Sequence, residues 1–323
     1  MKDLDVVALG GNAILPMSNT GTIGEQQAVT RCAMEQVCCL LAEGRRVILT
    51  HGNGPTVGNI VIRNEAVKDD IPPMPLDVCG ADSQGGLGYM IQQTLRNVFL
   101  KEGVEREVVA IVTQVRVDES DPAFENPHKP IGPYYTKEEA GKLAKERGWR
   151  VIEDSGRGFR RAVPSPYPIE IIERKVIRTV VESGAVVITA GGGGIPVVLV
   201  NGQYEGREAV IDKDLASALL ARDLGAERML ILTDIDAVYK DYGTDSAEPL
   251  RDVSLRRMTV LMKEGHFPSG SMGAKIQAAI EFLESGGESV IICRPEDTIA
   301  ATQGRRGTTI HREFADGNQS PIR

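Results

Sequence analysis

Three lysines lie in sequence surroundings that suit the binding of a negatively charged ligand. The first, Lys213, stands between Asp212 and Asp214, where a predicted strand passes into a predicted helix over 214–223. A lysine at a helix N-terminus opposes the positive end of the helix dipole, so an anionic ligand would explain its presence there. An adjacent aspartate could hold the ammonium group in place, although one of the two is explained equally well as a helix N-cap.

The second and third lysines are Lys275 and Lys129. Lys275 follows the glycine-containing segment 270–274 in the first turn of another predicted helix, where a phosphate would again relieve the conflict with the dipole. Lys129 lies between two prolines, which stiffen the backbone, and could close over a substrate. Each could instead be an ordinary solvated surface lysine. Together they suit phosphoryl transfer, in which a protein mainly positions the reactants and stabilises negative charge.

Glycine-bearing turns are the second feature that fits phosphate chemistry. Glycine lets backbone N–H groups approach a phosphate without a Cβ in the way. Such turns occur at Gly10-Gly11, Gly52 to Gly54, Gly191 to Gly194 and Gly270 to Gly273. Ordinary punctuation between strands and helices is the alternative interpretation. None of the four matches the P-loop motif or the dinucleotide-binding motif, which argues against both of those families.

A polar segment after the predicted strand 229–233 is a candidate for the nucleotide side of a site. Asp234 or Asp236 could bond a ribose, and Tyr239 could pack on a base. An ordinary polar turn explains the same residues equally well without further support.

The elements that must position these residues alternate between strand and helix, which predicts a mainly parallel sheet covered by helices on both faces. Predicted strands are 6–9, 46–50, 108–112, 186–189, 229–233 and 289–292, with an edge strand at 307–310. Predicted helices are 25–43, one starting near 56, 83–102, 169–182, 214–223, 254–264 and 272–285. A loop is expected over 71–82, and a β-hairpin with strands 197–200 and 207–211 around the turn 201–206.

This rhythm is interrupted between residues 118 and 168 by a segment rich in proline. Only a short helix near 137–147 and a strand fragment at 151–152 are predicted within it. A long irregular insertion in a compact domain is usually functional or disordered, and the aromatic residues of this one favour an ordered subdomain. We therefore predict a single domain over 1–323 with a lid subdomain inserted at 118–168.

Composition narrows the classes of function. The chain has 323 residues, of which 41% are hydrophobic and 25% charged, as is ordinary for a soluble globular protein. A net charge of −8 argues against nucleic acid as the main partner. We find no signal-peptide pattern and no apolar run long enough to span a membrane, and expect no membrane partner. Five cysteines without metal-ligand spacing predict no metal site on the protein and favour the cytoplasm.

The motifs resemble those of the carbamate kinases, which are part of the amino acid kinase superfamily. The segments that carry the resemblance run in order along the chain: 7–13, 51–55, 75–77, 83–85, 126–133, 156–158, 163–166, 191–198, 209–214, 265–267 and 270–275. They include the insertion, which separates carbamate kinases from other members of the superfamily. Thr56 and Asp82 depart from the usual pattern near the expected acceptor pocket and leave the acceptor open.

This resemblance implies a three-layer αβα sandwich, a homodimer, and reversible phosphoryl transfer between ATP and carbamate, run toward ATP synthesis. It implies that Lys213 and Lys275 stabilise the transferred group, Lys129 reaches in from the lid, and Asp214 orients the lysines. The residues implied for carbamate and the phosphoryl group are Gly10, Gly11, Asn12, Gly52, Asn53 and Gly54. Those predicted for the nucleotide are Gly192, Gly193, Asp212, Thr233, Asp234, Tyr239, Met272 and Gly273. Mg²⁺ would be bound mainly through ATP oxygens and water.

Two other functions remain open from the sequence. One is a related kinase acting on another small carboxylate-like acceptor. The other is a non-catalytic nucleotide-binding regulator, against which the three intact lysines argue.

Overall fold

The computed structural model describes residues 2–11, 14, 21–154, 156–267 and 271–312, apart from the side chain of Ser271. An eight-stranded sheet lies at its centre. In spatial order its strands are β15 (Asp252–Ser254), β17 (Thr308–His311), β16 (Ser289–Cys293), β12 (Arg228–Leu232), β1 (Leu4–Leu9), β2 (Arg46–His51), β9 (Val186–Ile188) and β3 (Val108–Ala110). Within the described residues every neighbouring pair is parallel except β16 and β17. The predicted mainly parallel sheet is confirmed.

Helices cover both faces of this sheet. The helices α1 (Ile23–Ala42), α3 (Leu76–Glu102) and α9 (Thr298–Thr302) pack on one face, and α5 (Arg174–Glu182), α6 (Lys213–Leu224), α7 (Leu255–Lys263) and α8 (Ser271–Glu284) on the other. Strand β1 shows the division: Leu4 and Val6 belong to one buried cluster, and Val7 and Leu9 to the other. Neighbouring side chains of a strand point to opposite faces, so one fully buried strand serves two cores. This is the expected three-layer αβα sandwich.

Three smaller sheets and one more helix complete the described chain. One sheet has the order β11 (Gln203–Gly206), β10 (Ile195–Val200), β4 (Gln114–Arg116), β8 (Glu170–Ile171). A second pairs β13 (Val238–Lys240) with β14 (Glu248–Leu250). The third has the order β5 (Lys129–Tyr135), β7 (Phe159–Val163), β6 (Val151–Glu153) and carries helix α4 (Lys137–Arg147). Helix α2 (Gly54–Ala66) follows β2 directly. No described helix has the length and apolar character that crossing a membrane requires.

Two predicted loops were placed wrongly. Helix α3 begins at Leu76, within the predicted loop 71–82, because Pro75 occupies the N-cap position with extended backbone angles and ends the proline-rich segment. The predicted hairpin has a different partner strand, since β10 pairs with Gln203–Gly206 and not with 207–211. A two-residue Asn-Gly turn joins them: Asn201 and Gly202 have φ of 50° and 81°, as a type I′ turn requires.

The inserted segment holds more regular structure than its sequence indicates. Its helix α4 and strand β6 were predicted, but β5 and β7 were not; within β5, Pro130, Gly132 and Pro133 disfavour a strand. These prolines are tolerated since β5 is the edge strand of its sheet, where a missing N–H costs no ladder hydrogen bond. Farther along, 170–171 pair as β8, so α5 starts at Arg174 and not at 169.

Candidate functional site

The carboxyl ends of the parallel strands β1, β2 and β12 meet at one edge of the main sheet. The N–H of Gly10 donates to the carbonyl of Leu232 at 2.8 Å, and the N–H of Gly52 donates to the carbonyl of Leu9 at 3.0 Å. A Cβ on Gly10 would lie 2.6 Å from the Leu232 oxygen, so only glycine fits there. The first two glycine turns are therefore neighbours, at the edge where open α/β sheets bind their ligands.

A buried carboxylate joins two of the three candidate lysines. The Lys213 Nζ lies 2.5 Å from Asp214 Oδ1, and the Lys275 Nζ lies 3.1 Å from Asp214 Oδ2. The side chains are 11%, 7% and 3% exposed for Lys213, Lys275 and Asp214. One aspartate thus holds both ammonium groups side by side, although the lysines are 62 residues apart in the chain.

The third lysine reaches the same cluster from the inserted sheet. The Lys129 Nζ lies 2.5 Å from Asp212 Oδ2. The other oxygen of Asp212 accepts from the N–H of Asp214 at 2.9 Å and caps α6. Three cations and two anions are therefore assembled around the N-terminus of α6. The excess positive charge suits the binding of a negatively charged ligand.

Electrostatics within the cluster keep the two carboxylates ionised. Burial acts to raise the pKa of Asp214, but the charges of Lys213 and Lys275 hold it below its usual value. Burial also acts to raise the pKa of Asp212, but Lys129, together with Lys213 and Lys275, lowers it below its usual value. Burial lowers the pKa of Lys213, whereas Asp214 and Asp212 overcome burial and raise the pKa of Lys275. Opposite charges in a poorly solvated site stabilise each other in this manner.

The glycine turns line the lysine cluster. A Cβ on Gly52 would meet the Cδ of Lys213 at 3.4 Å and the backbone nitrogen of Gly11 at 3.5 Å. The stem of Lys213 therefore runs past Gly52 toward the turn that follows β1. The structure brings together the two features that the sequence predicted separately; the binding roles of these glycines stay predictions. Asn12 and Gly270 lie outside the described residues.

The third glycine turn packs against the second. A Cβ on Gly191 would lie 2.4 Å from His51 Nε2, one on Gly192 would lie 2.1 Å from Asn53 Nδ2, and one on Gly193 would lie 2.5 Å from the carbonyl oxygen of Ile211. These glycines are buried. They contact the β2 turn and the segment that precedes Lys213. The assignment of Gly192 and Gly193 to the nucleotide stays a prediction.

Two buried polar residues that support these turns were absent from the predicted site. Gln84, in α3, donates to the carbonyls of Gly191 and Thr113 at 3.0 and 3.1 Å and accepts from the Thr113 N–H at 2.8 Å. His51, at the end of β2, is 1% exposed. The segments 51–55 and 83–85 were both noted as motifs, but burial is a tertiary property that the motifs do not reveal.

His51 should make stability depend on pH. Burial, followed by the nearby charge of Lys213, lowers its pKa from 6.5 to about 4. The unfolded chain therefore binds a proton at a higher pH than the folded chain does, so stability falls as pH drops from 6.5 toward 4. We expect a loss of roughly 1.5 kcal/mol between about pH 6.5 and about pH 5 from this group.

Urea denaturation at these two pH values, for the wild type and His51→Gln, measures that contribution. The variant should lack this part of the slope. An unchanged slope in His51→Gln would show that His51 is not the titrating group.

The candidate nucleotide residues lie around the ends of β12 and β13. The Thr233 hydroxyl donates to Asp234 Oδ1 at 3.2 Å, and Asp234 is exposed. Asp236 is engaged elsewhere, since it accepts from the Tyr239 hydroxyl at 3.1 Å and pairs with Arg251 at 3.1 Å. Asp234 is the more exposed of the two carboxylates, and its contact with a ribose stays a prediction. At the start of α8, Gly273 is buried, and Met272 is half-buried against the main core.

The inserted sheet is fixed to the body beside helix α2. Ile131 and Val163 pack in a buried cluster with Val57 and Val61 of α2 and with Leu76, Cys79 and Val210. A Cβ on Gly58 would lie 2.0 Å from the Cα of Gly132, so the backbones of α2 and β5 touch directly. Sequence reasoning missed this contact because a single glycine inside a helix gives no sign of its partner.

Metal ligands are scarce around the site. Across the residues that the structure describes, no three His, Cys, Asp or Glu side chains come close enough to hold a metal ion. Asp212 and Asp214, the carboxylates of the lysine cluster, are both paired with lysines.

Known proteins of high similarity identify the family. The family model described as "Amino acid kinase family" matches residues 4–294. A protein of Pyrococcus horikoshii named carbamate kinase is 48% identical, covering 96% of this chain and 99% of its own. A carbamate kinase of Trichomonas vaginalis is 45% identical over 94% and 98%. An Escherichia coli protein of 45% identity over 96% and 99% is named carbamate kinase-like protein YahI.

Solved structures agree. The carbamate kinase from Giardia lamblia bound to citric acid superposes with a TM-score of 0.92 at 41% identity, covering 96% of this chain and 99% of that chain. The same enzyme bound to AMP-PNP gives a TM-score of 0.88 at 42% identity with the same coverage. An N-acetylglutamate synthase from Neisseria gonorrhoeae, at 15% identity and a TM-score of 0.56, covers 96% of this chain and 62% of its own and shares the fold alone. This chain therefore belongs to the amino acid kinase family and, within it, to the carbamate kinases, which are phosphotransferases.

Proposed function

We propose that this chain catalyses reversible phosphoryl transfer between ATP and carbamate, giving ADP and carbamoyl phosphate, and that it runs toward ATP synthesis. The observation that carries the proposal is the pair Lys213 and Lys275, both held on Asp214 at the carboxyl edge of the sheet. Two adjacent ammonium groups beside glycine turns suit a group whose oxygens carry negative charge.

In the direction of ATP synthesis, a β-phosphate oxygen of ADP bonds to the phosphorus of carbamoyl phosphate while the bond from phosphorus to the carbamate oxygen breaks. Charge spreads over the equatorial oxygens of the moving group, and the leaving carbamate takes the bonding electrons. We assign Lys213 and Lys275 to those oxygens and Lys129 to a third contact from the inserted sheet. Asp214 is assigned to hold the first two ammonium groups before substrate arrives, which avoids reorganisation during the reaction.

The substrates would lie on either side of this cluster. We place carbamate and the transferred phosphoryl group at the turns containing Gly10, Gly11, Asn12, Gly52, Asn53 and Gly54. The nucleotide would lie toward Thr233, Asp234, Tyr239, Met272 and Gly273. The contacts of Gly52 with the Lys213 stem support the first placement, and the exposed Asp234 carboxylate supports the second.

Magnesium would enter with the nucleotide. Mg²⁺ keeps several waters and prefers phosphate oxygens with few protein ligands. Asp212 and Asp214 are paired with lysines, so the metal would be bound mainly by oxygens of the nucleotide and not by a set of carboxylates from this chain. The ion would supply charge neutralisation between adjacent phosphates.

We propose that residues 118–168 act as a lid within one domain. The sheet of β5, β6 and β7 supports this proposal because it carries Lys129 to the cluster. The flanking parts of the segment bond to the body instead: the Tyr167 hydroxyl, for example, donates to Glu281 of α8. The lid function would therefore belong to the sheet itself, from Lys129 to Val163, which packs on α2 and brings Lys129 to the cluster.

We propose a homodimer whose interface includes the outer side of α3. Tyr89 and Leu100 are 63% and 82% exposed there, and Val112 beyond the edge strand β3 is 54% exposed. Such apolar exposure is typical of an interface. Light scattering should give twice the chain mass of 34.9 kDa, and a monomer at micromolar concentration would contradict the proposal.

A cytoplasmic location, without nucleic-acid or membrane partners, is supported by the net charge of −8 and by five free cysteines.

The test of the proposed reaction is coupled detection of ATP made from ADP and carbamoyl phosphate with Mg²⁺. Acetyl phosphate, supplied in place of carbamoyl phosphate, is the matched control for acceptor choice. We expect ATP from carbamoyl phosphate and little from acetyl phosphate. Preference for another acyl phosphate would support the kinase of a different carboxylate. ATP binding without turnover of any acyl phosphate would support the non-catalytic regulator.

A further inference from the structure

We infer that Asp212 is a positioning residue that holds Lys129 in place over the reaction site. This inference rests on the proposed function and gives Asp212 a different task from the nucleotide contact predicted from sequence. The Lys129 Nζ and Asp212 Oδ2 are 2.5 Å apart, with the two side chains 26% and 18% exposed. This ion pair joins the inserted sheet to the start of α6, which carries Lys213 and Asp214.

The two aspartates divide the three lysines between them. Asp214 uses one oxygen for Lys213 and the other for Lys275. Asp212 uses Oδ1 to cap α6 at the Asp214 N–H and Oδ2 to hold Lys129. The first turn of α6 therefore holds Lys129 through Asp212, as it holds Lys213 and Lys275 through Asp214. A single carboxylate thus sets the distance between catalytic groups that come from different parts of the chain.

The lid backbone beyond Lys129 is anchored at Ile131 and Gly132, whereas the start of β5 and the Lys129 side chain depend on a further restraint. Lys129 opens the edge strand β5 opposite Val163, two residues before the buried Ile131 and three before Gly132, which touches Gly58. The four-carbon stem of lysine retains large rotamer freedom when nothing binds its ammonium group. Asp212 is the acceptor that selects one conformer, so Lys129 is oriented before the phosphoryl group arrives.

Asp212→Asn and Lys129→Met, alone and together, test this inference. Asparagine keeps a side-chain oxygen that can cap α6 but loses the negative charge. We expect Asp212→Asn to lower kcat for ATP formation about tenfold, with the KM for ADP unchanged. In the Lys129→Met background the same substitution should change kcat less than about twofold, because a residue acting through Lys129 has nothing left to position.

Amide hydrogen exchange on the substrate-free enzyme gives a second readout that does not depend on the reaction. We expect the peptide covering 127–133 to exchange several-fold faster in both single variants than in the wild type, and the α4 peptide 137–147 to be unchanged. Glu65→Gln is the matched control. Glu65 also pairs with a cation of the lid, since its carboxylate lies 3.7 Å from the guanidinium of Arg147. Glu65 is near the C-terminal end of α2, away from the lysine cluster. This control should keep wild-type kcat and wild-type exchange at 127–133.

Two results would overturn the inference. One is an equal loss from Asp212→Asn with and without Lys129, together with a raised KM for ADP, which would return Asp212 to the nucleotide. The other is unchanged exchange at 127–133. A wild-type enzyme inactive with carbamoyl phosphate would instead refute the proposed function, and the exchange experiment would then decide the role of Asp212.

Discussion

Replacing Lys213 or Lys275 by alanine should lower kcat for ATP formation at least about 100-fold, the loss of one charged transition-state contact worth ~2.7–4 kcal/mol. Both ammonium groups are held on Asp214 before substrate binds. Removing one therefore takes away a preorganised charge that water cannot replace in a largely buried site. The KM for ADP should change little, because the loss falls on the moving phosphoryl group. Steady-state kinetics with carbamoyl phosphate measures both quantities.

The structure also shows how these variants must be controlled. Asp214 is 2% exposed, and each variant removes one of its two ammonium partners, so the loss of stability should be part of the roughly 3–5 kcal/mol that breaking a buried ion pair costs. Urea denaturation must therefore accompany each kinetic measurement. Near-wild-type kcat in a folded Lys213 or Lys275 variant would remove that lysine from the catalytic machinery.

The lysine cluster could be anticipated because its signals are local. Lys213 and Lys275 each stand at the start of a helix, where an unexplained cation is visible in the sequence. Parallel strands bring such positions to one edge of the sheet, so their meeting follows from the fold class. Lys129 was noted as well, but its partner was not. It is 83 residues from Asp212, and the contact depends on how the inserted sheet docks on the body.

The parts that sequence reasoning missed share a tertiary origin. Strand β5 contains prolines that local propensity rejects, and it forms because it lies at a sheet edge. Buried Gln84 supports the third glycine turn through a contact 107 residues distant in the chain. No pattern of period 2 or 3.6 encodes such contacts, since they depend on which surfaces finally meet.

Substituting Gly58 by alanine should lower kcat about 100-fold without affecting any residue of the lysine cluster directly. A Cβ there would lie 2.0 Å from the Cα and 2.4 Å from the nitrogen of Gly132. Both are backbone atoms, and Gly132 has a φ of 75° that leaves the strand little room to adjust. The inserted sheet must therefore shift, and Lys129 shifts with it. A displacement of about 1 Å at a catalytic group can cost about 10²-fold in rate.

Gly141→Ala is the matched control, because Gly141 lies inside the lid helix α4 with nothing within 4 Å of an added Cβ. Alanine in a helix interior is normally stabilising by about 1 kcal/mol relative to glycine, so this control should be slightly more stable and fully active.

Trp149, the single tryptophan of the chain, reports on the lid. The guanidinium carbons of Arg147 and Arg161 lie 5.1 and 4.9 Å from the centre of its ring. Its emission should change in Gly58→Ala and not in the control, because moving the inserted sheet relative to α2 disturbs the pairing of Arg147 with Glu65 of α2 and thereby the guanidinium at the ring. If emission changes while kcat stays at the wild-type value, the position of the inserted sheet does not set the rate, and Lys129 loses its place among the catalytic residues.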